Sequence, residues 1–304
     1  QDDVMVYGSY TTASKGAGIN GGTDPVPYDQ EDTAVLDFGL KAKLLDGAML
    51  LNMNVFQNDN SGMLLATIRN TEAFNINVDA EVKGFEGLMK VFLSDTTSID
   101  LSWLFVDAEI TSDTTTGNYL EPAGATGILQ YLGPVDPQGT GFLTGAVFNN
   151  GQVWYKSGGF NCLTPLGFNP AAGVLCPLSE ANPVSLQGND LPGVADTSYS
   201  FSFTQLFPGD NGVTSARLSY RYRGESNGDP FNMSRFDVPE QKQFDFLLRY
   251  TPNNGDWYVG MYAKNLADDQ TMNSIRSGSN AQGGQLYASF TDPRTWGIQF
   301  GSSF

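Results

Sequence analysis

Two stretches decide how this chain reads: RYTPNNGDWYVGMYAKNLADD, from Arg249 to Asp269, and PRTWGIQFGSSF, from Pro293 to Phe304. The first reads as a strand, a tight Asn253-Asn254-Gly255 turn and a second strand. The second places Trp296, Ile298, Phe300 and Phe304 on one face, with small or polar residues between them. A period-2 strand with lipid on one side and a polar lumen on the other, ending on an aromatic, predicts a transmembrane antiparallel β-barrel of the bacterial outer-membrane kind. Trp296, Ile298, Phe300 and Phe304 are read as its barrel-assembly signal.

Working outward, the same alternation recurs. Leu36, Phe38 and Leu40 alternate with Asp37, Gly39 and Lys41, and Leu45-Asp46-Gly47 makes a turn. Met49, Leu51, Met53 and Val55 then share a face opposite Asn52 and Asn54. A strand near 75–94 contains Gly84 and Gly87, which predict a bulge or bend. A turn at Thr96-Thr97-Ser98 leads to Ile99, Leu101, Trp103 and Phe105 on one face. Tyr199, Phe201 and Phe203 alternate with serines. Beyond Gly209-Asp210-Asn211-Gly212, Leu218, Tyr220 and Tyr222 alternate with Arg217, Ser219, Arg221 and Arg223. Phe244, Phe246 and Leu248 alternate with Asp245, Leu247 and Arg249. The pattern gives an all-β chain of about ten strands, with short turns at one end and long loops at the other.

Composition agrees. The chain has 304 residues, of which 35 are glycine, 12% aromatic and 16% charged. No run of about 18 apolar residues offers a membrane helix, and window averages hide barrel strands, in which only every second residue is apolar. A formal charge of −17 argues against a nucleic-acid partner. There is no histidine, the commonest general base and transition-metal ligand, and no paired carboxylates stand at a recognisable spacing. An enzyme is therefore not expected, nor is a cofactor or a resident metal. The N-terminal QDDVMVYGSY has neither a basic nor an apolar leader region, so a signal peptide is expected to be absent or removed.

The loops hold the candidate sites. The connection from about 111 to 196 is very long and rich in Gly, Pro and Thr; a long structureless loop points to function or mobility. Its aromatics Tyr131, Phe142, Phe148, Trp154, Tyr155 and Phe160 are ligand candidates, because exposed rings give contact area at small entropy cost. The plainer alternative is that they pack the loop onto itself. Cys162 and Cys176 are the only cysteines. Close in sequence and in an exported chain, they predict a disulfide, which closes a loop of about 15 residues and contributes about 3 kcal/mol. Arg217, Arg221, Arg223 and Arg249 form a lumen-side basic row that would guide an anionic ligand; the alternative is that they pair with Asp245, Glu86 and other wall acids. Gly16, Gly18 and Gly21 fit G-x-G-x-x-G, yet Pro25 and Pro27 follow where a phosphate-binding helix would start, so a loop explains them better. Asp24, Asp29, Glu31 and Asp32 suit a hard cation by chemistry, with solvated loop charge the simpler reading.

Several segments together resemble one family. Tyr7 to Gly21, YGSYTTASKGAGING, is similar to a strand running into a Lys-Gly-Gly-Asn-like loop. Leu36 to Asn58 is similar to a Gly-Leu-Lys, Asp-Gly, Asn-x-x-Val-Phe hairpin. Val78 to Gly87, VDAEVKGFEG, is similar to an Ala-x-x-x-Gly-x-Glu strand, and Leu186 to Ser202 to a Gly-Asn-x-Leu-Pro lead into a late strand. With the two opening stretches, these stand in the order they take in TonB-dependent outer-membrane receptors. The resemblance implies the C-terminal part of a 22-stranded barrel, with the plug domain and the earlier strands outside this chain.

That resemblance also implies a function without bond chemistry. Extracellular loops capture a scarce ligand (a siderophore, cobalamin, or an oligosaccharide or peptide), and a plug rearranges when TonB pulls on it. This chain would supply wall and capture loops. Its expected partners are outer-membrane lipid and lipopolysaccharide, the remainder of the barrel with its plug, and TonB through the plug. A passive porin-like channel and a surface-display or adhesive barrel are the alternatives.

Overall fold

A computed structural model describes residues 3–21, 25–69, 72–117, 130–134, 145–149, 152–157, 160–164, 183–277 and 286–302, with backbone alone at 67–69, 72–74, 115–117, 130–164, 183–184 and 277. Ten strands form one antiparallel sheet in sequence order. They are β1 (Val4–Lys15), β2 (Glu31–Leu44), β3 (Met49–Arg69), β4 (Glu72–Ser94) and β5 (Thr97–Ile110). After the long loop follow β6 (Thr197–Gly209), β7 (Gly212–Arg223), β8 (Gln241–Pro252), β9 (Trp257–Lys264) and β10 (Thr295–Ser302). Among the described residues β1 and β10 do not pair with each other, so each presents an open edge.

The register bears out the alternation. Tyr199, Phe201 and Phe203 of β6 stand opposite Tyr222, Tyr220 and Leu218 of β7. Leu218 and Tyr220 stand opposite Phe246 and Phe244 of β8. Leu248 meets Met261, and Met261 meets Ile298, with Val259 beside Phe300. Directly paired residues point to the same side, so these apolar side chains share one outer face. Arg217, Arg221, Asp245 and Arg249 occupy the intervening positions and share the inner face.

Aromatics mark both margins of the apolar band. At the short-turn end Trp257 sits 5.7 Å from Tyr250 and 6.4 Å from Phe300, centroid to centroid. At the loop end Tyr199 stacks on Tyr222 at 4.8 Å and Tyr220 tilts against Phe244 at 4.6 Å. About 27 Å of strand separates Lys242 from Tyr250 at the antiparallel rise. With barrel tilt that is roughly 21 Å, close to the ~25 Å apolar band of such proteins.

β3 and β4 are 21 and 23 residues long, about twice what a bilayer requires. Beyond the band the polarity of the sheet inverts. The outer row becomes Gln57, Asp59, Glu81, Lys83, Asp107 and Glu109, while Leu65, Val78, Ala80, Ala108 and Ile110 point inward. Those five pack with Leu186 and Leu191 into a core in which Ile110 and Leu186 are 0% exposed. A bulge between Asn60 and Met63 adjusts the register here, and Gly62 sits at φ +69° with its N–H donating to Asp79 at 2.8 Å. Any Cβ at Gly62 would meet the carbonyl oxygen of Gln30.

Four expectations change. Gly84 and Gly87 lie in an unbroken ladder and do not bend the strand; they make room for the rings of Phe56 and Trp103 on the strands alongside. The β4–β5 turn is Asp95-Thr96, one residue earlier than read. The outer loops are not all long: residues 70–71 alone link β3 to β4, because both strands run far past the band. The long loop is not structureless: 130–134, 145–149, 152–157 and 160–164 form a four-stranded sheet, and 115–117 pairs with 183–185.

The register yields a direct test. Phe246 and Leu247 are neighbours on opposite faces near the middle of β8. In the folded barrel, Phe246→Arg should cost about 2–4 kcal/mol of folding free energy in lipid, and Leu247→Arg well under half of that. Urea titration of barrels folded into vesicles reads both; equal costs would mean that the register is wrong.

Candidate lumen-wall site

The inner face of β3 to β8 curves around a concave space of about 710 Å³, lined by residues that include Asn52, Asn54, Glu86, Ser102, Ser200 and Arg221. Short hydroxyl side chains pave part of the inner face, Ser102 and Ser200 at this space and Ser202 and Ser219 outside its lining. Ser102 Oγ lies 2.6 Å from Ser200 Oγ, and Ser202 Oγ lies 2.9 Å from Ser219 Oγ. Each such pair satisfies both groups while keeping the wall thin.

Charge on this wall is partly self-satisfied. Asp100 accepts from Lys90 at 3.2 Å and from Arg217 at 3.5 Å. Asp245 accepts from Arg221 at 2.6 Å and from the backbone N–H of Asn265 at 3.0 Å. Arg223 donates to the carbonyl of Gly193 at 2.9 Å and to Ser226 at 3.1 Å. The guanidinium of Arg249 lies 3.7 Å over the ring of Tyr258. The pairing alternative thus holds for Arg217 and Arg221, through Asp100 and Asp245. Glu86, expected in that network, takes no ion pair or hydrogen bond among the described residues; it faces Asn54 and Leu104.

Above the wall, two motifs tie the loops down. Segment 186–196 runs along the β5 edge that β6 leaves free. Gly188 N–H donates to Ile110 at 2.8 Å, Ile110 N–H to Asn189 at 2.8 Å and Leu191 N–H to Ala108 at 2.9 Å. Gly193 N–H reaches Asn227 at 2.7 Å, and the Asn189 side chain donates to Pro230 at 2.8 Å, which joins the next loop to the same clip. The second motif centres on Asn265, 3% exposed. Its amide donates to the carbonyls of Asp269 and Asp292, both at 2.9 Å, and its Oδ1 accepts from the Asp269 N–H at 3.1 Å. One amide thereby closes the base of the last outer loop. Sequence reasoning singled out both motifs by resemblance but not these roles.

Other candidates fall elsewhere. Tyr131, Phe148, Trp154, Tyr155 and Phe160 lie on the four-stranded loop sheet, with Tyr131 and Trp154 on one register row through Val147. The side chains of these aromatics, all of Phe142, the Cys162 side chain, all of Cys176, and Phe304 lie outside the described residues. So does Asp24, while Glu31 accepts from Leu64 N–H at 3.2 Å and Asp32 from Gln30 at 2.7 Å. Among the described residues no three metal-ligating side chains converge. The two hairpins of the loop sheet had a readable signal: Asn150-Gly151 and Gly158-Gly159 are the two-residue pairs that separate its last three strands.

The family described as "TonB dependent receptor-like, beta-barrel" matches residues 1–266. Among solved structures, the ferric yersiniabactin uptake receptor FyuA from Yersinia pestis matches with TM-score 0.64 and 17% identity over 99% of this chain and 35% of that one. The siderophore receptor PiuA from Acinetobacter baumannii gives 0.61 and 15% over 99% and 34%. The copper transporter OprC gives 0.60 and 14% over 100% and 38%. No curated protein sequence matches. The chain spans about a third of the length of the solved structures it resembles.

The clip carries a pH dependence. Burial, with Asp190 and Asp107 nearby, raises the Asp196 carboxyl above the usual aspartate range. A raised folded-state pKa means that ionisation opposes the clip as pH climbs through that range, and that protonation favours it below. Asp196→Asn should therefore slow proteolytic nicking within 186–196 at neutral pH, by a factor of about 2–5, the scale of a few tenths to one kcal/mol for a mostly exposed charge. The advantage should vanish as pH falls below about 4. Timed proteolysis across pH, with an acid-stable protease at the low end, reads it.

Proposed function

We propose that this chain, which belongs to the TonB-dependent receptor β-barrel family, supplies ten consecutive wall strands of a larger outer-membrane importer. The observation that carries the reading is the pair of open edges. Val6 on β1 and Ile298 on β10 are each 75% exposed, and neither strand has an outer neighbour among the described residues. In lipid an unpaired edge leaves backbone groups unsatisfied at several kcal/mol each, so both edges require further strands. The share of the solved relatives left uncovered is large enough for such strands and a plug. They would lie elsewhere in the same polypeptide or in a separate one.

In this reading the extracellular loops take the ligand and the wall encloses its route. The loop sheet at 130–164, bearing Tyr131, Phe148, Trp154, Tyr155 and Phe160, is the proposed capture surface, with Phe142 in the same loop. Arg217 and Arg221 are proposed as wall-stabilising first and ligand-facing second, because Asp100 and Asp245 already meet them. The ligand proposed is a metal-loaded chelate, on the likeness to a ferric yersiniabactin receptor, a siderophore receptor and a copper transporter. TonB would act through the plug, and lipopolysaccharide would surround the outer leaflet. The wall carries charged and polar side chains; it has no nucleophile–base pair of the Ser–His or Cys–His kind, since the chain has no histidine.

Uptake of radiolabelled ferric chelates by cells carrying the full-length receptor tests this. Uptake should fall to background without TonB, and the purified receptor should conduct no ions across a planar bilayer. Steady conductance with TonB-independent uptake would favour the porin-like alternative. Cys162 and Cys176 are proposed to be joined within the capture loop. Digestion without reductant should yield one cross-linked peptide pair; full alkylation of both thiols before reduction would remove the disulfide from the account.

A further inference from the structure

Three tyrosines of the inner wall share one local construction. Tyr7 stands opposite Gly39, Tyr258 opposite Gly301 and Tyr262 opposite Gly297. At each glycine an added Cβ would run into the tyrosine ring, so the ring lies across the neighbouring strand. Each ring carries one cation. Lys41 Nζ is 5.7 Å from the Tyr7 centroid, the Arg249 guanidinium 3.7 Å from that of Tyr258, and Lys264 Nζ 5.9 Å from that of Tyr262.

These cations differ from those in the middle of the sheet. Lys90, Arg217 and Arg221 have wall carboxylates to meet them. Among the described residues Lys41, Arg249 and Lys264 have none, and they stand on the flanking strands β2, β8 and β9. Among the described residues the concave side of the sheet thus carries cations without a carboxylate partner, in a chain whose net charge is −17. A cation held on an aromatic face is steered away from the wall and left to be met from inside.

We propose that the three cation-on-tyrosine platforms are docking points for carboxylates of the polypeptide segment that fills the barrel. The proposal rests on the reading above that the complete barrel holds a plug, and it specifies the chemistry of the contact. Spacing selects a polypeptide over a small solute. Lys41 and Arg249 each lie four positions from a short turn, at Leu45 and Asn253. They are therefore at about one level, on strands separated by about 29 Å along the wall. Lys264 lies about 13 Å of strand higher. A folded domain spans these points together, whereas a chelate touches one. Charge-assisted hydrogen bonds from ammonium and guanidinium to carboxylate suit such a contact, and Arg249 can offer a two-pronged one.

The test uses the full-length receptor in outer-membrane vesicles, with plug release read by protease cleavage during a urea titration. Lys41→Glu combined with Arg249→Glu should lower the urea midpoint of release by about 1 M. The folded-barrel band on unheated gels should stay unchanged. The single exchange Lys41→Arg, which keeps the charge, should keep the original midpoint, and so should Lys83→Gln, on the outer face of the wall. If the reversed chain fails to reach the folded band, Lys41→Gln with Arg249→Gln should shift the midpoint in the same direction by less. An unchanged midpoint in a folded variant overturns the proposal, and an unchanged midpoint with weakened binding of a ferric chelate assigns the platforms to the solute instead. Absence of any releasable internal domain in the unsubstituted receptor would overturn the importer reading, and this proposal with it.

Discussion

Everything in this structure follows from the need to satisfy backbone hydrogen bonds where no water can do so. A bilayer core offers no partner to an N–H or C=O, so the chain must bond its own backbone laterally, strand to strand. The ten-strand ladder is the consequence, and it fixes the rest. Once each strand is held antiparallel to its neighbour, side chains alternate by geometry alone, and the sequence can specify only what sits on each side. The row from Tyr199 through Tyr222 to the β8 and β10 apolar residues is that specification for lipid. Serines, asparagines and ion pairs are the specification for the lumen.

Beyond the bilayer the same ladder meets water on its outer side, and the rule for side chains reverses. Glu81, Lys83 and Asp107 take the outside, while Val78, Ala80 and Ile110 turn inward. An apolar inner face then needs a cover, which segment 186–196 provides through Leu186 and Leu191. Its backbone also occupies the β5 edge above the start of β6. One short motif therefore answers two separate demands, apolar burial and edge satisfaction. Burying each large apolar side chain is worth about 1.5–3 kcal/mol, so the outer end is stabilised much as a soluble protein is.

How far this was legible in the sequence depends on which physics ruled each segment. Alternation in the band, from Leu36 to Leu40 and from Leu218 to Leu248, was plain, because lipid and lumen differ sharply in polarity. The inversion past Asn58 was not, because apolar residues keep period 2 while changing sides and no single strand announces where the membrane stops. Gly84 and Gly87 were misread because a strand glycine has two uses, a bend or a place for a ring, and only the cross-strand partner tells them apart. Phe56 and Trp103 are those partners. In the long loop, strands of five or six residues gave too little alternation to notice, although Asn150-Gly151 and Gly158-Gly159 marked their turns. At the candidate site, the basic row was visible but its partners were not. Asp100 lies far from Arg217 in sequence and meets it only across the β5–β6–β7 register.

The placement of charge has a mechanical consequence for anything held inside. Ion pairs in a wet lumen are individually weak, commonly under 1 kcal/mol. The mid-wall pairs Lys90–Asp100–Arg217 and Arg221–Asp245 are closed within the wall, so they stiffen it without gripping its contents. The platforms at Lys41, Arg249 and Lys264 are open, and they lie far apart along the wall. An occupant held at a few separated weak points resists thermal escape through their sum, yet yields one contact at a time to a directed pull. On the proposed reading, such a wall would hold an internal domain at its open cations while its own mid-wall ion pairs stay closed.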